Sequence, residues 1–207
     1  EKHFPTTKHV VYDSISRSAM LTANDKSFGV KGIPSYDFKN AKTIVGFACD
    51  FLGTWVSPIE FSRDYADGRR DFKNMSRHYH FESNMSLTGS NADRRYAVKP
   101  SLMGAAIVSL YNKITGSNLP TGKLNDKTAQ GIDKVAMDLA ASKGNSLVVC
   151  GINDENMQMM VNAINYELGN YGTTINFTRT SNANAGVDSD MKQLVDDMKG
   201  GNISALI

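Results

Sequence analysis

The chain has 207 residues, enough for one domain or for two small lobes that share an interface. Its 23 Lys and Arg residues against 21 Asp and Glu residues leave a formal net charge of +2. This balance argues against a nucleic-acid-binding protein, which needs a concentrated basic face. No apolar run reaches the roughly 18 residues that a membrane-spanning helix requires. Cys49 and Cys150 lie far apart in the sequence without a CxxC motif, which excludes an iron–sulfur or zinc site built from this chain's cysteines.

Short apolar segments alternate with amphipathic ones along the chain. This alternation is typical of an α/β fold in which helices flank mainly parallel, Rossmann-like sheets. The nearly continuous apolar runs 43–49 (TIVGFAC) and 146–150 (SLVVC) are predicted to be central strands, buried on both faces. Further strands are predicted at residues 9–13 (HVVYD), 78–81 (HYHF) and 174–177 (TINF).

Helices are predicted where apolar residues recur three and four positions apart. One opens near Pro58 and another follows Pro100, because proline favours the first helical position. Three more are predicted over the apolar positions 132–140, 157–168 and 191–198, each followed closely by a glycine. Asn153 or Asp154 is expected to cap the second of these three. The methionines in these stripes are interpreted as core residues, since methionine fills gaps between a helix and a sheet.

A polar, Gly- and Pro-containing stretch at residues 115–122 (TGSNLPTG) divides the chain. It predicts a nucleotide-binding-like α/β lobe at residues 1–122 and a second α/β lobe at residues 123–207, truncated at its C-terminal strand. The chain begins at Glu1 without a signal-peptide pattern, and residues 202–207 (NISALI) read as the start of a strand. We therefore expect a piece excised from a longer protein.

The first predicted lobe contains a candidate nucleotide-binding unit. The strand 43–49 leads into Asp50, Gly53 and Thr54, just before the helix that opens near residue 58. Free N–H groups at such a helix start favour a phosphate. Only Gly53 represents the glycines of a GxGxxG motif, and Trp55 is expected to crowd the phosphate position. The alternative is a packed βαβ unit without a ligand.

The next predicted strand ends at Glu82 and Ser83, and an acidic residue at that point suits a ribose hydroxyl. His78 and His80 alternate with Glu82, so the three side chains are expected to share one face of the strand. Two histidines and a carboxylate could ligate zinc or iron in a free-standing metal-dependent hydrolase. The alternative is a partly exposed strand whose polar face meets solvent or another domain.

Nucleophilic catalysis has little support in the sequence. There is no GxSxG motif, and Cys49 and Cys150 both end apolar strands. We expect these cysteines to be buried, reduced and unpaired. The basic pairs Arg69-Arg70 and Arg94-Arg95 could clamp an anion or meet the acidic surface of a partner, or could simply be solvated.

Three segments carry a family resemblance. They are residues 41–69 (AKTIVGFACDFLGTWVSPIEFSRDYADGR), 76–101 (SRHYHFESNMSLTGSNADRRYAVKPS) and 146–172 (SLVVCGINDENMQMMVNAINYELGNYG). These segments resemble the molybdopterin oxidoreductase superfamily, and most closely the large molybdopterin-like iron–sulfur subunit of bacterial alternative complex III. The strings FLGTWVSPIEF and HFESNMSLTGSNAD are the most specific part of the resemblance.

The resemblance implies a lobe that holds part of a molybdopterin guanine dinucleotide cofactor in the wider superfamily. It places Asp50 at the polar position after the first strand, Glu82 at the acidic ribose position and Asp93 in the family's "AD" segment. Residues 100–103 (PSLM) depart from the usual Pro-Gly-Thr-Asp, whose aspartate contacts the guanine. The vestigial cofactor-binding candidates are Asp50, Gly53, Thr54, Glu82, Ser83 and Asp93, with no catalytic or metal-ligating residue.

The function implied is that of a structural, cofactor-free domain in a respiratory quinol oxidoreductase subunit. The parent chain would hold iron–sulfur clusters elsewhere and be periplasmic, associated with the membrane through its partners. Those partners would be other regions of the parent chain and respiratory-complex subunits, with no nucleic acid and no direct membrane insertion. The alternative is part of a catalytic molybdenum oxidoreductase that binds molybdopterin guanine dinucleotide.

Overall fold

The computed structural model describes residues 6–181 and 183–207. Its centre is a four-stranded, fully parallel sheet in the order β4-β3-β2-β5. The strands are β2 (Thr43–Phe47), β3 (Arg77–Glu82), β4 (Arg94–Ala97) and β5 (Ser146–Cys150). The predicted α/β fold, with a mainly parallel sheet flanked by helices, is confirmed.

Helices and a second, two-stranded sheet surround the main sheet. They are α1 (Ser18–Phe28), β1 (Ile33–Tyr36), α2 (Pro58–Asp67), α3 (Leu87–Ser90), α4 (Pro100–Thr115), α5 (Asp126–Ala141), α6 (Glu155–Glu167), β6 (Ile175–Ser181) and α7 (Asp188–Lys199). The helices predicted from apolar spacing are confirmed as α2, α4, α5, α6 and α7. The side chain of Asp154 caps α6 by accepting a hydrogen bond from Met157 N. No helix among residues 6–181 and 183–207 has the length and apolar character needed to cross a bilayer.

Three strand predictions need correction. Residues 9–13 form no strand, because β propensity needs a neighbouring strand and none pairs with this segment. The strand predicted at 174–177 is β6, which pairs antiparallel with β1 outside the main sheet. Residues 146–150 form an edge strand rather than a central one, although every residue of β5 is buried. The sequence prediction missed α1, β1, α3 and β4.

Each face of the main sheet carries its own apolar core. On one face Phe47 and Phe81 stack at 5.1 Å beneath α4, α5 and α6. On the other, Ile44 and Val149 pack with residues of α1, α2, β1 and β6. Because β5 pairs with β2, the sheet takes strands from both predicted lobes, 1–122 and 123–207. The division at residue 122 stays a prediction.

The outer edge of β5 is closed by side chains instead of a further strand. Asn165 of α6 accepts a hydrogen bond from Val148 N (3.1 Å) and donates one to Val148 O (2.8 Å), as a neighbouring strand would. Thr174 and Gln158 donate to the carbonyl oxygens of Ser146 and Cys150. These bonds give buried backbone groups on the outer side of β5 the partners that a further strand would otherwise supply.

Replacing Asn165 with Ala is therefore expected to destabilise the fold strongly. The substitution leaves the N–H and C=O of Val148 buried without partners, at about 1–3 kcal/mol for each group. Asn156→Ala, on the exposed face of the same helix, is the matched control and should stay within about 0.5 kcal/mol. Urea unfolding of both variants measures the difference, and equal stabilities would show that the edge of β5 does not depend on Asn165.

Candidate functional site

The carboxyl ends of β2 and β3 form the edge at which open parallel sheets bind ligands. Asp50 follows β2 and reaches across to α3, where its Oδ1 accepts hydrogen bonds from Thr88 N (3.0 Å) and Thr88 Oγ1 (2.8 Å). Its own carbonyl oxygen accepts from the N–H groups of Gly53, Thr54 and Trp55. Asp50 thus closes its own loop and ties that loop to the segment that follows β3.

Glu82, the last residue of β3, is only 3% exposed. Its carboxylate accepts hydrogen bonds from Ser86 N (3.2 Å), Ser86 Oγ (2.6 Å) and Arg95 Nε (2.6 Å). Burial by itself would raise the pKa of Glu82, but the bonds from Ser86 and Arg95 outweigh it and hold the pKa below its ordinary value. Glu82 is therefore an ionised, fully partnered carboxylate.

The two carboxylates are packed directly against glycine backbone. A Cβ atom added at Gly53 would overlap Asp50 Oδ2, and one added at Gly89 would overlap Glu82 Oε1. Glycine in a nucleotide-binding loop leaves room for a phosphate to approach the backbone. Here the protein's own carboxylates occupy that room.

The six cofactor-binding candidates do not form one site. Asp50, Gly53 and Thr54 lie in the loop after β2, with Thr54 Oγ1 3.4 Å from Asp50 Oδ2. Ser83 Oγ donates to Val98 O (2.8 Å). Asp93 precedes β4 and so lies at the opposite, amino-terminal edge of the parallel sheet. There its two carboxylate oxygens, Oδ2 and Oδ1, accept hydrogen bonds from the guanidinium of Arg69 at 2.9 and 2.6 Å.

Trp55 does not crowd a phosphate position, contrary to the prediction. It is 2% exposed and lies in the core, with its ring 5.0 Å from Tyr36 and 5.7 Å from Phe61. The next residue, Val56, has a φ of +54°, an unusual conformation for a β-branched residue. This left-handed turn follows the inward-facing indole and precedes α2.

The polar face of β3 is buried, so its interpretation as a partly exposed surface is wrong. His78 and His80 are both 0% exposed. Tyr65 OH donates to Asn91 O (3.0 Å) and lies 3.1 Å from His78 Nδ1. Because a phenol has one hydrogen, His78 Nδ1 must carry the proton that completes the second bond.

Both histidines are held neutral. Burial lowers the pKa of His80 to about 4 and lowers that of His78 well below its ordinary value. His80 Nε2 approaches Glu82 Oε2 to 3.3 Å without making a directed hydrogen bond. Within residues 6–181 and 183–207, no three His, Cys, Asp or Glu side chains are grouped to hold a metal ion. The metal-dependent hydrolase therefore gains no support from the geometry.

The cysteines are also unsuited to catalysis. Cys49 and Cys150 are buried free thiols in the two opposite cores. Burial raises the pKa of Cys150 to about 12 and that of Cys49 well above its ordinary value. The thiolate is the reactive form of cysteine, so neither side chain is a competent nucleophile near neutral pH.

Sequence reasoning did not find the partners of the two carboxylates. Ser86 is the N-cap of α3 and accepts from Gly89 N, a pattern that a Ser three residues before a glycine could have suggested. Thr88 and Arg95 give no comparable signal, because their roles depend on which loops the sheet brings together. Of the basic pairs, Arg69, Arg70 and Arg95 all form ion pairs with carboxylates.

Acid is expected to destabilise the protein through His78 and His80. Unfolded histidines titrate near pH 6.5, whereas the folded pKa values are lower, so the unfolded chain takes up protons that the folded chain does not. The contribution of the two neutral histidines to the free energy of unfolding is fully present above the unfolded pKa. It falls as the pH drops from about 7 to about 5, and the limiting slope is about 1.4 kcal/mol per pH unit for each histidine. Urea unfolding at each pH measures the slope.

The variant His78→Phe should lower this slope by about half, because one of two equivalent proton uptakes is removed. Phenylalanine suits the surroundings, since the ring of His78 lies 5.3 Å from Phe51. His9→Gln, at an exposed histidine outside the core, is the control variant. A slope near zero in the parent chain would mean that His78 and His80 are protonated in the folded state.

No protein-family model matches the chain, and no curated protein matches it significantly. The contacts within the chain therefore carry the functional interpretation.

Proposed function

We propose that the chain is a structural, cofactor-free domain of the molybdopterin-oxidoreductase type. It would belong to the large subunit of a respiratory quinol oxidoreductase resembling alternative complex III. In this role it packs against other regions of the parent chain and against neighbouring subunits in the periplasm, while iron–sulfur clusters elsewhere in the parent transfer electrons. The sequence resemblance and the state of the strand ends support the proposal.

One observation carries the cofactor-free part of the proposal. Three backbone N–H groups in the segment after β3 already have partners in the protein itself. Those of Ser86 and Thr88 donate to Glu82 and Asp50, and that of Gly89 donates to Ser86 Oγ. A pyrophosphate binds through free N–H groups, and the ionised carboxylate of Glu82 at this edge would repel it. The residues present do not fit a molybdopterin guanine dinucleotide.

The alternative is a catalytic molybdenum domain that binds the guanine dinucleotide at this edge. It would need Asp50 and Glu82 to leave Thr88 and Ser86 and accept the ligand's ribose and guanine instead. Each carboxylate would then exchange short hydrogen bonds for new ones. The two possibilities differ in measurable affinity for a guanine nucleotide.

Isothermal titration calorimetry with GDP is expected to give no binding heat at nucleotide concentrations up to roughly 1 mM. A dissociation constant of that size corresponds to a binding free energy of about −4 kcal/mol. The reason is that the N–H groups of Ser86 and Thr88, which a phosphate would need, already donate to Glu82 and Asp50. ADP serves as the control for binding that does not depend on guanine. A micromolar dissociation constant for GDP, with none for ADP, would contradict the cofactor-free proposal.

Glu82→Gln is expected to lower the free energy of unfolding by about 1.5–3 kcal/mol, because a charge-assisted bond to Arg95 is lost and an amide N–H₂ meets donors. Residues kept for binding behave in the opposite way, since their replacement commonly leaves stability unchanged or raises it. Glu167→Gln, whose surface ion pair with Lys143 spans 3.7 Å, is the control and should change stability by under about 1 kcal/mol. Unchanged or increased stability of Glu82→Gln in urea unfolding would argue for a binding role.

A further inference from the structure

The outer side of β4 is lined by a basic groove. Cavities of 650, 420 and 420 Å³ follow the chain from the segment before β3, along β4, to the start of α4 and α5. The first two share Asp93, Arg94 and Lys134. We call these three cavities together the β4 groove. It follows the outer side of β4, and one of its lining residues, Arg95, contacts the Glu82 carboxylate from that side.

The charge of the β4 groove is strongly one-sided. Among the lining residues in the described part of the chain, Asp93 is the only acidic one, and it is already paired with Arg69. Two of its arginines, Arg77 and Arg95, are paired with Asp138 and Glu82. The remaining cations have no ion-pair partner in the described part of the chain, and they are Lys73, Arg94, Lys99, Lys123, Lys127 and Lys134. Six such cations in one groove contrast with a net charge of only +2 for the whole chain.

The groove also exposes an unpaired strand edge. Val98 N donates to Glu82 O (3.0 Å), so the backbone at this position faces β3. Because successive residues of a strand face opposite edges, the N–H and C=O groups of Arg95 and Ala97 face away from β3. Among the described residues they make no hydrogen bond to another strand or side chain. This edge differs from that of β5, which side chains of α6 close.

We propose that the β4 groove binds an extended acidic segment of a partner protein as an added strand. The partner's backbone pairs with the free groups of Arg95 and Ala97, and its acidic side chains meet cations such as Arg94 and Lys134. Charge complementarity fixes the chemistry of the partner, and the free edge fixes its conformation. This inference does not depend on the proposed function.

A single-stranded nucleic acid fits the groove less well. Such ligands bind basic grooves through several aromatic platforms on which successive bases stack. The lining aromatic residues are Phe72, which is exposed, and Tyr79 and Tyr96, which are buried. The row of backbone donors and acceptors along β4 suits a peptide instead.

The test uses fluorescence anisotropy with a labelled peptide of alternating Val and Glu, about six residues long to match a strand. We expect saturable binding that weakens as salt rises from about 50 mM to about 200 mM. A peptide of alternating Val and Gln should bind at least about tenfold more weakly, which is about 1.4 kcal/mol. A fully N-methylated Val-Glu peptide, which keeps the charge but lacks the backbone donors, should lose binding to a similar extent.

The double variant Arg94→Glu, Lys134→Glu should weaken binding of the Val-Glu peptide by about tenfold or more. Lys192→Glu, at an exposed position of α7, is the matched control and should bind like the parent chain. Equal binding of the N-methylated peptide, unchanged affinity of the double variant, or tighter binding of an oligothymidylate would each overturn the proposal. None of these outcomes bears on GDP binding, so the two proposals fail separately.

Discussion

The hydrogen bonds to the Glu82 carboxylate are the interaction on which the carboxyl edge of the sheet depends. The side chains of His78, His80 and Glu82 on β3 are buried on the same face of the sheet. A buried carboxylate is stable only when several hydrogen-bond donors surround it. Ser86 supplies two donors and Arg95 a third. Through Ser86 this carboxylate positions α3, and through Arg95 it fastens the edge strand β4. The same contacts occupy the N–H group of Ser86, which is therefore not free for a phosphate.

The two outer strands of the main sheet, β4 and β5, differ in whether their free backbone groups have partners. At β5, Asn165 takes the place of a neighbouring strand and closes the edge. At β4, the backbone of Arg95 and Ala97 stays open beside cations that have no ion-pair partner among residues 6–181 and 183–207. Exposed strand edges are usually blocked in proteins because they recruit other chains. An open, basic edge in a protein that closes its other edge is therefore suited to a specific acidic partner.

The sequence was sufficient to predict those strands and helices whose buried residues form a continuous apolar run or recur at helical spacing. The apolar runs of β2 and β5 and the spaced apolar residues of α4, α5 and α6 identify these elements without tertiary information. It was insufficient for β3, because alternating His and aromatic residues suit a half-exposed strand equally well. The burial of His78 depends on Tyr65, which lies in a different element. The family resemblance placed Asp93 among the cofactor-binding candidates together with Glu82. Because β4, only four residues long, was not recognised, nothing in the sequence indicated that Asp93 lies at the opposite, amino-terminal end of the parallel strands.

Hydrogen exchange of the backbone amides of Ser86, Thr88 and Gly89 tests the structural role of the strand-end carboxylates most directly. These amides donate to Glu82, Asp50 and Ser86, so they report on the contacts themselves. If the contacts are structural, the three amides exchange at rates close to those of the β2 core, through global unfolding, and GDP leaves the rates unchanged. Ligand-binding loops open locally at low free-energy cost. Rapid exchange that GDP suppresses would contradict a structural, cofactor-free edge.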